Sequence, residues 1–334
     1  MSKDIFVAVE QRGGTVQKVS IELLGEARRL AGLLKESVVA VLMGSGVTEQ
    51  ANLLHQYGAD RVLVVDHPVL AHYTTEPYAK AMTHVIRAYD PNIVLFGATS
   101  IGRDLAPRVA GRVHTGLTAD CTSLDIEEET GLLLMTRPAF GGNIMATIVC
   151  KDYRPQMATV RPGVMPLPAK EAERAGLVEQ VDAGLSMGDQ NVEILEIRAH
   201  EKKHVDITEA KVLVSGGRGV GGPEGYVPLQ ELANVLGGEV SASRVGVDSG
   251  WIEKDRQVGQ TGKTVRPSLY LACGISGAIQ HQAGMENSEC IIAINVDEGA
   301  PMMKLADLGV VGDLNVIIPK LTEAIRAYRT GQAV

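Results

Sequence analysis

Short apolar runs alternate with amphipathic helical segments along this chain, and no other feature of the sequence restricts its fold as strongly. The runs 5–9, 38–43, 61–65 and 93–96 have strand length, and segments with helical periodicity lie between them. Strands that are separated by helices are joined by parallel crossover connections, which build a doubly wound sheet. The sequence therefore predicts an α/β protein with mostly parallel sheets.

Two of the predicted helices begin with capping signals. Ser20 is expected to cap the first helix, and Thr99 or Ser100 is expected to cap the helix that follows the run 93–96. Because Gly97 precedes these hydroxyl residues, the same turn could instead hold a phosphate. A capped helix needs no ligand, so the structural interpretation is favoured at this turn.

After residue 131 the predicted strands are separated by prolines and glycines. The segments 132–136, 144–149 and 156–160 are predicted to complete the first sheet with antiparallel strands. Residues 165–189 mix prolines, glycines and charges, which indicates a connecting surface segment, and 192–197 predicts one more strand of the first domain.

The chain has 334 residues, which exceeds what one hydrophobic core usually supports, so we expect two domains. The boundary is placed near residues 202–206, which gives an N-terminal α/β domain of residues 1–204 and a C-terminal domain of residues 205–334. Each domain is expected to contain a mostly parallel, doubly wound sheet. In the second domain, 316–318 is predicted to be the last strand and 321–328 the last helix.

Composition argues against several classes of protein. A formal charge of −8 is unfavourable for general nucleic-acid binding, which depends on cationic contacts with phosphates. No apolar run approaches the ~20 residues of a membrane-spanning helix, and residues 1–3 lead into a strand without a secretory signal, so we expect a cytoplasmic protein without membrane insertion. The four cysteines are scattered without a Cys-x-x-Cys pair and are expected to be reduced core residues.

Three loops rich in small residues follow three predicted strands of the C-terminal domain. They begin at Ser215, Ser241 and Gly274, and the third belongs to the stretch 257–284, which is typical of a loop, a strand, a glycine-rich turn and a helix start. In a parallel sheet such loops meet at the carboxyl ends of the strands, where α/β proteins bind ligands. A helix beginning near Gly277 would direct its positive end at an anion such as pyrophosphate. Taken alone, the turn is equally consistent with a connection that binds nothing.

The polar residues of these loops favour the binding of a nucleotide cofactor over hydrolysis, because they include neither a carboxylate pair nor a cysteine at a loop tip. Ser276 and His281 could be a nucleophile and its base, but no orienting acid is evident and the serine is equally typical of a helix cap. A lone histidine is more often structural than catalytic, and Arg244 could be an ordinary surface residue. The candidate residues are Arg218, Ser243, Arg244, Gln260, Thr261, Ser276, Gln280, His281, Asn295 and Asp313.

Longer motifs in both domains resemble the electron-transfer flavoprotein alpha subunit family. In the C-terminal domain these motifs are Ser215-Gly-Gly-Arg-Gly, Ser241-Ala-Ser-Arg, Gln257-Val-Gly-Gln-Thr-Gly-Lys and Gly274-Ile-Ser-Gly-Ala-Ile-Gln-His, in the order and spacing of the family. Gly97-Ala-Thr-Ser and Arg137-Pro-Ala-Phe-Gly-Gly-Asn extend the resemblance into the first domain, so that it covers nearly the whole chain.

The resemblance implies a Rossmann-like C-terminal domain that binds FAD, and a beta subunit that completes a heterodimer. The subunit would pass single electrons to or from an acyl-CoA dehydrogenase, either as a simple shuttle or in NADH-driven electron bifurcation with ferredoxin. Matched by motif, the residues expected to contact FAD are Arg218, Ser243, Arg244, Val258, Gly259, Gln260, Thr261, Ser276, Gly277, Ala278, Ile279, Gln280, His281, Asn295, Asp313 and Leu314.

Three of these residues are expected, by the same resemblance, to tune the flavin. Arg244 would lie against the isoalloxazine, Thr261 would reach N5 and His281 would approach the C2 carbonyl. A cation at ~4 Å in an effective dielectric near 20 contributes about 4 kcal/mol, whereas a neutral hydrogen bond contributes about 1 kcal/mol. Arg244 is therefore expected to dominate the stabilisation of negative charge on the half-reduced flavin.

Two alternatives belong to other classes of protein. A non-redox adenine-nucleotide-binding module would use the same loops but would be colourless. A nicotinamide dehydrogenase is not supported, because no Gly-x-Gly-x-x-Gly turn with a downstream acid follows an early strand.

Overall fold

The chain forms two compact units in a computed structural model, Met1–Arg198 and Ala199–Val334. The predicted boundary between residues 204 and 205 falls in the stretch 198–205, which lies outside the described residues. Within the described ranges, no helix combines the length and the apolar character needed to cross a membrane. The structure describes residues 3–139, 144–197 and 206–329.

The N-terminal unit is built from alternating strands and helices. Its strands are β1 (Ile5–Val9), β2 (Gln11–Arg12), β3 (Thr15–Val16), β4 (Val38–Gly44), β5 (Arg61–Asp66), β6 (Ile93–Gly97), β7 (Leu117–Cys121), β8 (Ser123–Ile126), β9 (Leu133–Pro138), β10 (Met145–Ile148), β11 (Gln156–Val160) and β12 (Leu177–Gln180). Its helices are α1 (Lys18–Leu34), α2 (Ala51–Gln56), α3 (Thr75–Tyr89) and α4 (Ser100–Val113).

Seven of these strands form one sheet in the order β12-β5-β4-β1-β6-β11-β7, in which every neighbouring pair is parallel. Every residue of β1 and β4 is buried, as expected for strands that are covered by helices on both faces of a sheet. The predicted doubly wound α/β architecture is confirmed for this unit.

The prediction that antiparallel strands complete this sheet is wrong. Strands β8, β9 and β10 pair antiparallel in a separate three-stranded sheet, whereas β11 is parallel between β6 and β7. All five residues of β11 are buried, the burial pattern of a central parallel strand. Residues 140–143, which end the motif that starts at Arg137, lie outside the described residues.

The edge of the large sheet also differs from the prediction. The segment 192–197 is not a strand, and its apolar side chains, such as Leu195 and Ile197, are exposed. The edge strand is instead β12, which pairs parallel with β5 inside the segment predicted to be a surface connection. Apolar residues alone predicted a strand at 192–197, but no strand in the described part of the chain pairs with this segment to bury them.

Of the two predicted helix caps in this unit, the structure contains one. Thr99 Oγ1 accepts a hydrogen bond from the Gly102 amide at 3.1 Å and donates one to the Glu10 carboxylate. Ser20 is not a cap, because α1 begins at Lys18 with Gln17 before it. The Ser20 hydroxyl is buried and accepts a hydrogen bond from the Glu10 amide at 2.8 Å, which ties the helix to the end of β1.

The C-terminal unit is a five-stranded parallel sheet in the order β14-β13-β15-β16-β17. Its strands are β13 (Val212–Gly216), β14 (Glu239–Ala242), β15 (Leu269–Cys273), β16 (Ile291–Asn295) and β17 (Leu308–Val311). Its helices are α5 (Tyr226–Leu236), α6 (Arg244–Asp248), α7 (Ile279–Gln282), α8 (Pro301–Leu305) and α9 (Leu314–Arg329).

The strand predicted at 316–318 is part of α9, and the edge strand is β17. A short apolar run fits a buried strand and a helix equally well. In α9 the buried residues Leu314, Ile318 and Thr322 recur every fourth position while Val316 is exposed, which is helical periodicity.

The four cysteines are free, but only two of them are core residues. Cys121 and Cys273 are buried, and burial raises the pKa of each thiol to about 12. Cys150 and Cys290 are half-buried, so the prediction of four core cysteines is wrong for this pair.

Candidate functional site

A cavity of about 720 Å³ lies at the carboxyl ends of β13, β14, β15 and β16, inside the C-terminal unit. Its volume is within the range of about 300–1,000 Å³ that is typical of small-molecule sites. The loops that follow these strands supply its walls together with the segment 257–261. The predicted site residues that line it are Arg218, Ser243, Arg244, Val258, Gly259, Gln260, Thr261, Ser276, Gly277, Ala278, Gln280, His281 and Asn295.

The loops after β13 and β15 pack backbone against backbone, and this contact requires glycine. A Cβ atom on Gly217 would lie 2.4 Å from the Gly274 carbonyl oxygen, and one on Gly219 would lie 2.8 Å from the Gly274 Cα. The structure shows that two loops meeting at one edge of the sheet already demand them.

The loop after β15 offers backbone amides to the cavity. Asn295 Nδ2 donates to the Ile275 carbonyl at 3.0 Å, which holds this loop against β16. Within the described residues, the amides of Ser276, Gly277 and Ala278 donate no hydrogen bond. Since α7 has only four residues, it contributes little macrodipole, and these unpaired amides are the groups of the turn that are available to an anion.

The cavity contains two arginines with different surroundings. Arg244 begins α6, and its Nε donates to Asp248 Oδ2 at 2.9 Å while 69% of its side chain stays exposed. Arg218 lies at the end of β13 and forms no ion pair among the described residues. Arg218 is therefore the guanidinium in this cavity that is available to a phosphate group.

Thr261 is held by a buried neighbour. Gln257 Nε2 donates to Thr261 Oγ1 at 2.9 Å, and Gln257 is only 4% exposed. Because its oxygen accepts this hydrogen bond, the Thr261 hydroxyl is free to donate its proton into the cavity.

His281 is the buried imidazole of the cavity. Its Nε2 lies 2.9 Å from the Tyr270 hydroxyl, while its Nδ1 has no hydrogen-bond partner among the described residues. Burial lowers the pKa of His281 to about 4, and the backbone of Val258 offsets only part of this shift. The ring is neutral at pH 7, so it carries one N–H group that can act as a donor.

Three predicted residues do not line the cavity. Asp313 accepts a hydrogen bond from the Asn315 amide at 2.9 Å next to the start of α9. Leu314 is buried against Gly274, so it supports a wall of the cavity from behind. Ile279, the first residue of α7, is half-buried.

Sequence reasoning missed several residues that the structure brings into the cavity. Asp248 could have been found as the acid four residues after Arg244, and Asp297 by its place just after β16. The missed lining residues are Gly219, Val245, Asp248, Gln257, Gly274, Ile275, Val296, Asp297 and Ala300.

The turn after β6 in the N-terminal unit has no comparable space. Gly97 and Gly102 line a crevice of about 30 Å³, room for about one water molecule. A Cβ atom on Gly102 would lie 1.8 Å from the Gly97 carbonyl oxygen, so close packing accounts for this glycine. The geometry favours the structural interpretation of this turn over a phosphate site.

Models of known protein families match both units. Residues 5–186 match the electron transfer flavoprotein domain, and residues 206–286 match the electron transfer flavoprotein FAD-binding domain. The parallel C-terminal sheet, its nucleotide-sized cavity and these matches define a flavoprotein subunit that binds FAD.

Comparison with individual relatives identifies the family of this subunit. The chain is 57% identical to the electron transfer flavoprotein subunit alpha of Thermoanaerobacterium thermosaccharolyticum, over 98% of this chain and 99% of that protein. It is 46% identical to the acryloyl-CoA reductase electron transfer subunit beta of Anaerotignum propionicum, over 97% and 96%. It is 45% identical to the lactate dehydrogenase (NAD(+),ferredoxin) subunit LctC of Acetobacterium woodii, over 97% and 77%. The chain belongs to the electron transfer flavoprotein alpha subunit family.

The residues of the cavity fit FAD. A dinucleotide needs an anion site for its pyrophosphate, and Arg218 with the unpaired amides of the loop after β15 supplies one. The flavin ring system needs hydrogen-bonding groups at its polar edge, and His281 has a buried ring nitrogen without a partner among the described residues.

Proposed function

We propose that this subunit carries electrons one at a time between an acyl-CoA dehydrogenase and a second redox partner, as a heterodimer with a beta subunit. The observation that carries this proposal is the 46% identity, over nearly the full length of both chains, to the electron transfer subunit of an acryloyl-CoA reductase. FAD accepts and releases the electrons when it is bound in the C-terminal unit. The protein residues bind it, orient it and set its potential.

In this proposal one group of residues binds the cofactor and a second group sets its potential. Arg218 and the amides of Ser276, Gly277 and Ala278 hold the negatively charged pyrophosphate. Arg244, Thr261 and His281 would lie near the electron-accepting end of the cofactor. A cation and two hydrogen-bond donors there would favour negative charge on the bound group.

A second candidate is electron bifurcation, in which NADH reduces the dehydrogenase partner and ferredoxin together. The 45% identity to a subunit of a lactate dehydrogenase named for NAD⁺ and ferredoxin supports this version. The same relative also supports a different redox partner, a hydroxy-acid dehydrogenase in place of an acyl-CoA dehydrogenase.

The test is to purify the subunit with its beta subunit and to measure its visible spectrum, flavin content and reduction. Reduction by acyl-CoA only when an acyl-CoA dehydrogenase is present supports the proposal. Two FAD per heterodimer with reduction by NADH supports bifurcation, whereas one FAD with one AMP supports a simple shuttle. A colourless complex that binds adenine nucleotides would overturn both versions in favour of a non-redox module.

The Arg218→Ala variant tests whether Arg218 binds FAD. We expect its complex to lose FAD on gel filtration, because the pyrophosphate loses its guanidinium partner. The matched control is Arg326→Ala, which removes an exposed arginine of α9 that does not line the cavity. Equal FAD retention in both variants would contradict the assignment of Arg218.

A further inference from the structure

Tyr270 lies behind the FAD cavity and, among the residues that the structure describes, forms the one side-chain hydrogen bond of the His281 ring. It is the second residue of β15, it is fully buried, and it does not line the cavity. Its hydroxyl lies 2.9 Å from His281 Nε2. A neutral imidazole has one donor and one acceptor nitrogen, so this contact decides which nitrogen of His281 carries the proton.

The surroundings of the phenol determine the direction of the hydrogen bond. Ser215 and Ser241 lie opposite each other on β13 and β14, and both hydroxyls are buried without a hydrogen-bond partner among the described residues, so neither accepts the phenol proton. Burial raises the pKa of Tyr270 far above its usual range, so the phenol keeps its proton. Among the described residues, His281 Nε2 is the hydrogen-bond partner of the Tyr270 hydroxyl. A buried O–H group without an acceptor is costly, so the phenol donates its proton to Nε2.

The other side of the ring leads to the same assignment. A neutral imidazole that accepts a hydrogen bond at one nitrogen carries its hydrogen on the other. Nε2 is already occupied by Tyr270, which leaves Nδ1 as the nitrogen that bears the hydrogen.

We propose that Tyr270 is a positioning residue that donates to His281 Nε2 and thereby holds His281 as the Nδ1–H tautomer. The donor that His281 offers to FAD is then set by a side chain that does not touch the cofactor. With the ring free to change tautomer, His281 would present an acceptor for part of the time, and an acceptor repels a carbonyl oxygen that gains negative charge on reduction.

The test compares Tyr270→Phe with the wild-type complex by two measurements. In ¹⁵N-histidine-labelled protein, with His281→Gln used to assign the signal, we expect wild-type His281 to be protonated at Nδ1 alone. We expect Tyr270→Phe to show a mixture of tautomers. The one-electron potential of FAD should fall by about 40 mV, equivalent to about a fivefold loss of affinity for the reduced form when one neutral hydrogen bond is weakened.

The control is Tyr226→Phe, which removes a second buried hydroxyl of the same unit. That hydroxyl donates to the Gly216 carbonyl at 3.1 Å and does not contact His281. Tyr226→Phe should therefore keep the wild-type tautomer and potential. If Tyr270→Phe does not fold, the wild-type spectrum still decides, because protonation of His281 at Nε2 would overturn the proposal.

The potential measurement rests on the proposed contact between His281 and FAD, whereas the tautomer measurement does not. An unchanged tautomer or an unchanged potential in Tyr270→Phe would overturn the proposal. A wild-type complex that holds FAD but accepts electrons from no acyl-CoA dehydrogenase would instead contradict the proposed function.

Discussion

Arg244 donates from Nε to Asp248 Oδ2 at 2.9 Å across one turn of α6, and both residues line the FAD cavity. Arg244 is therefore one half of an ion pair rather than an isolated cation. The side chains of both residues are more than half exposed, so solvent screens them as well. Each effect reduces the ~4 kcal/mol that a lone cation at ~4 Å would supply in an effective dielectric near 20.

The Arg244→Ala variant should keep FAD but lower its first reduction potential by about 40–90 mV, equivalent to about 1–2 kcal/mol. The physical reason is that, with the flavin placed as proposed, the negative charge brought by reduction loses a guanidinium beside it. The measurement is a reductive titration of the complex with a reference dye.

The control for Arg244→Ala uses another exposed pair in the same unit, Arg326 with Glu231, whose charged atoms lie 3.8 Å apart. Arg326→Ala removes the same charge and leaves the cavity unchanged, so its potential should match the wild type. A potential in Arg244→Ala that also matches the wild type would remove Arg244 from the set of tuning residues.

The Asp248→Asn variant should act in the opposite direction and raise the first potential by about 20–60 mV. Replacing the carboxylate by an amide removes a negative charge from the cavity and releases Arg244 from its pair. The same dye titration measures this shift, with Glu231→Gln as the control. A lower potential in Asp248→Asn would mean that Asp248 acts mainly by holding Arg244 in place.

The parallel strands of both units were predictable because a strand that is buried on both faces of its sheet needs apolar residues at nearly every position. The strands β1, β4 and β15 follow this rule. The rule failed at 192–197 and 316–318, where apolar residues form an exposed segment and a helix face. Whether a short apolar run is buried depends on partners that are far away in sequence.

The residues of the candidate site that lie at the ends of strands were predictable from the sequence. Ser243, Ser276 and Asn295 each lie at or just beyond the carboxyl end of a parallel strand, and the structure places all three on the cavity. The partners that orient these groups were not predictable. Gln257 reaches Thr261 through a turn, and Tyr270 reaches His281, which lies eleven positions further along the chain.

The Gln257→Met variant should weaken FAD binding about fivefold, which corresponds to about 1 kcal/mol. Methionine has a similar shape but no amide, so Thr261 loses the donor that directs its hydroxyl. The measurement is the dissociation constant of FAD, followed by flavin fluorescence in the reconstituted complex.

A double-mutant cycle tests whether Gln257 acts through Thr261. Thr261→Val alone should have an effect of similar size, and Gln257→Met added to it should cost little more, because the two side chains form one unit. Fully additive effects would show that Gln257 supports the cavity independently of Thr261.

Acid should destabilise the C-terminal unit through His281. Its pKa in the folded state is about 4, compared with 6.5 for an ordinary histidine, because burial disfavours the charged ring. Between these values the unfolded chain binds a proton that the folded chain excludes. The contribution is therefore fully present above pH 6.5 and is lost as the pH falls towards 4, by about 3 kcal/mol in total.

Trp251 is the single tryptophan of the chain and packs against the core of the C-terminal unit, so its fluorescence follows the unfolding of that unit in urea. For FAD-free protein between pH 7.5 and 4.5, we expect His281→Gln to remove a large part of the pH dependence of the unfolding free energy. The control is His84→Gln, which replaces an exposed histidine of the N-terminal unit and should leave this transition unchanged. Parallel pH profiles for His281→Gln and the wild type would show that the imidazole charges freely in the folded state. The neutral, single-donor form of His281 would then no longer follow from its burial.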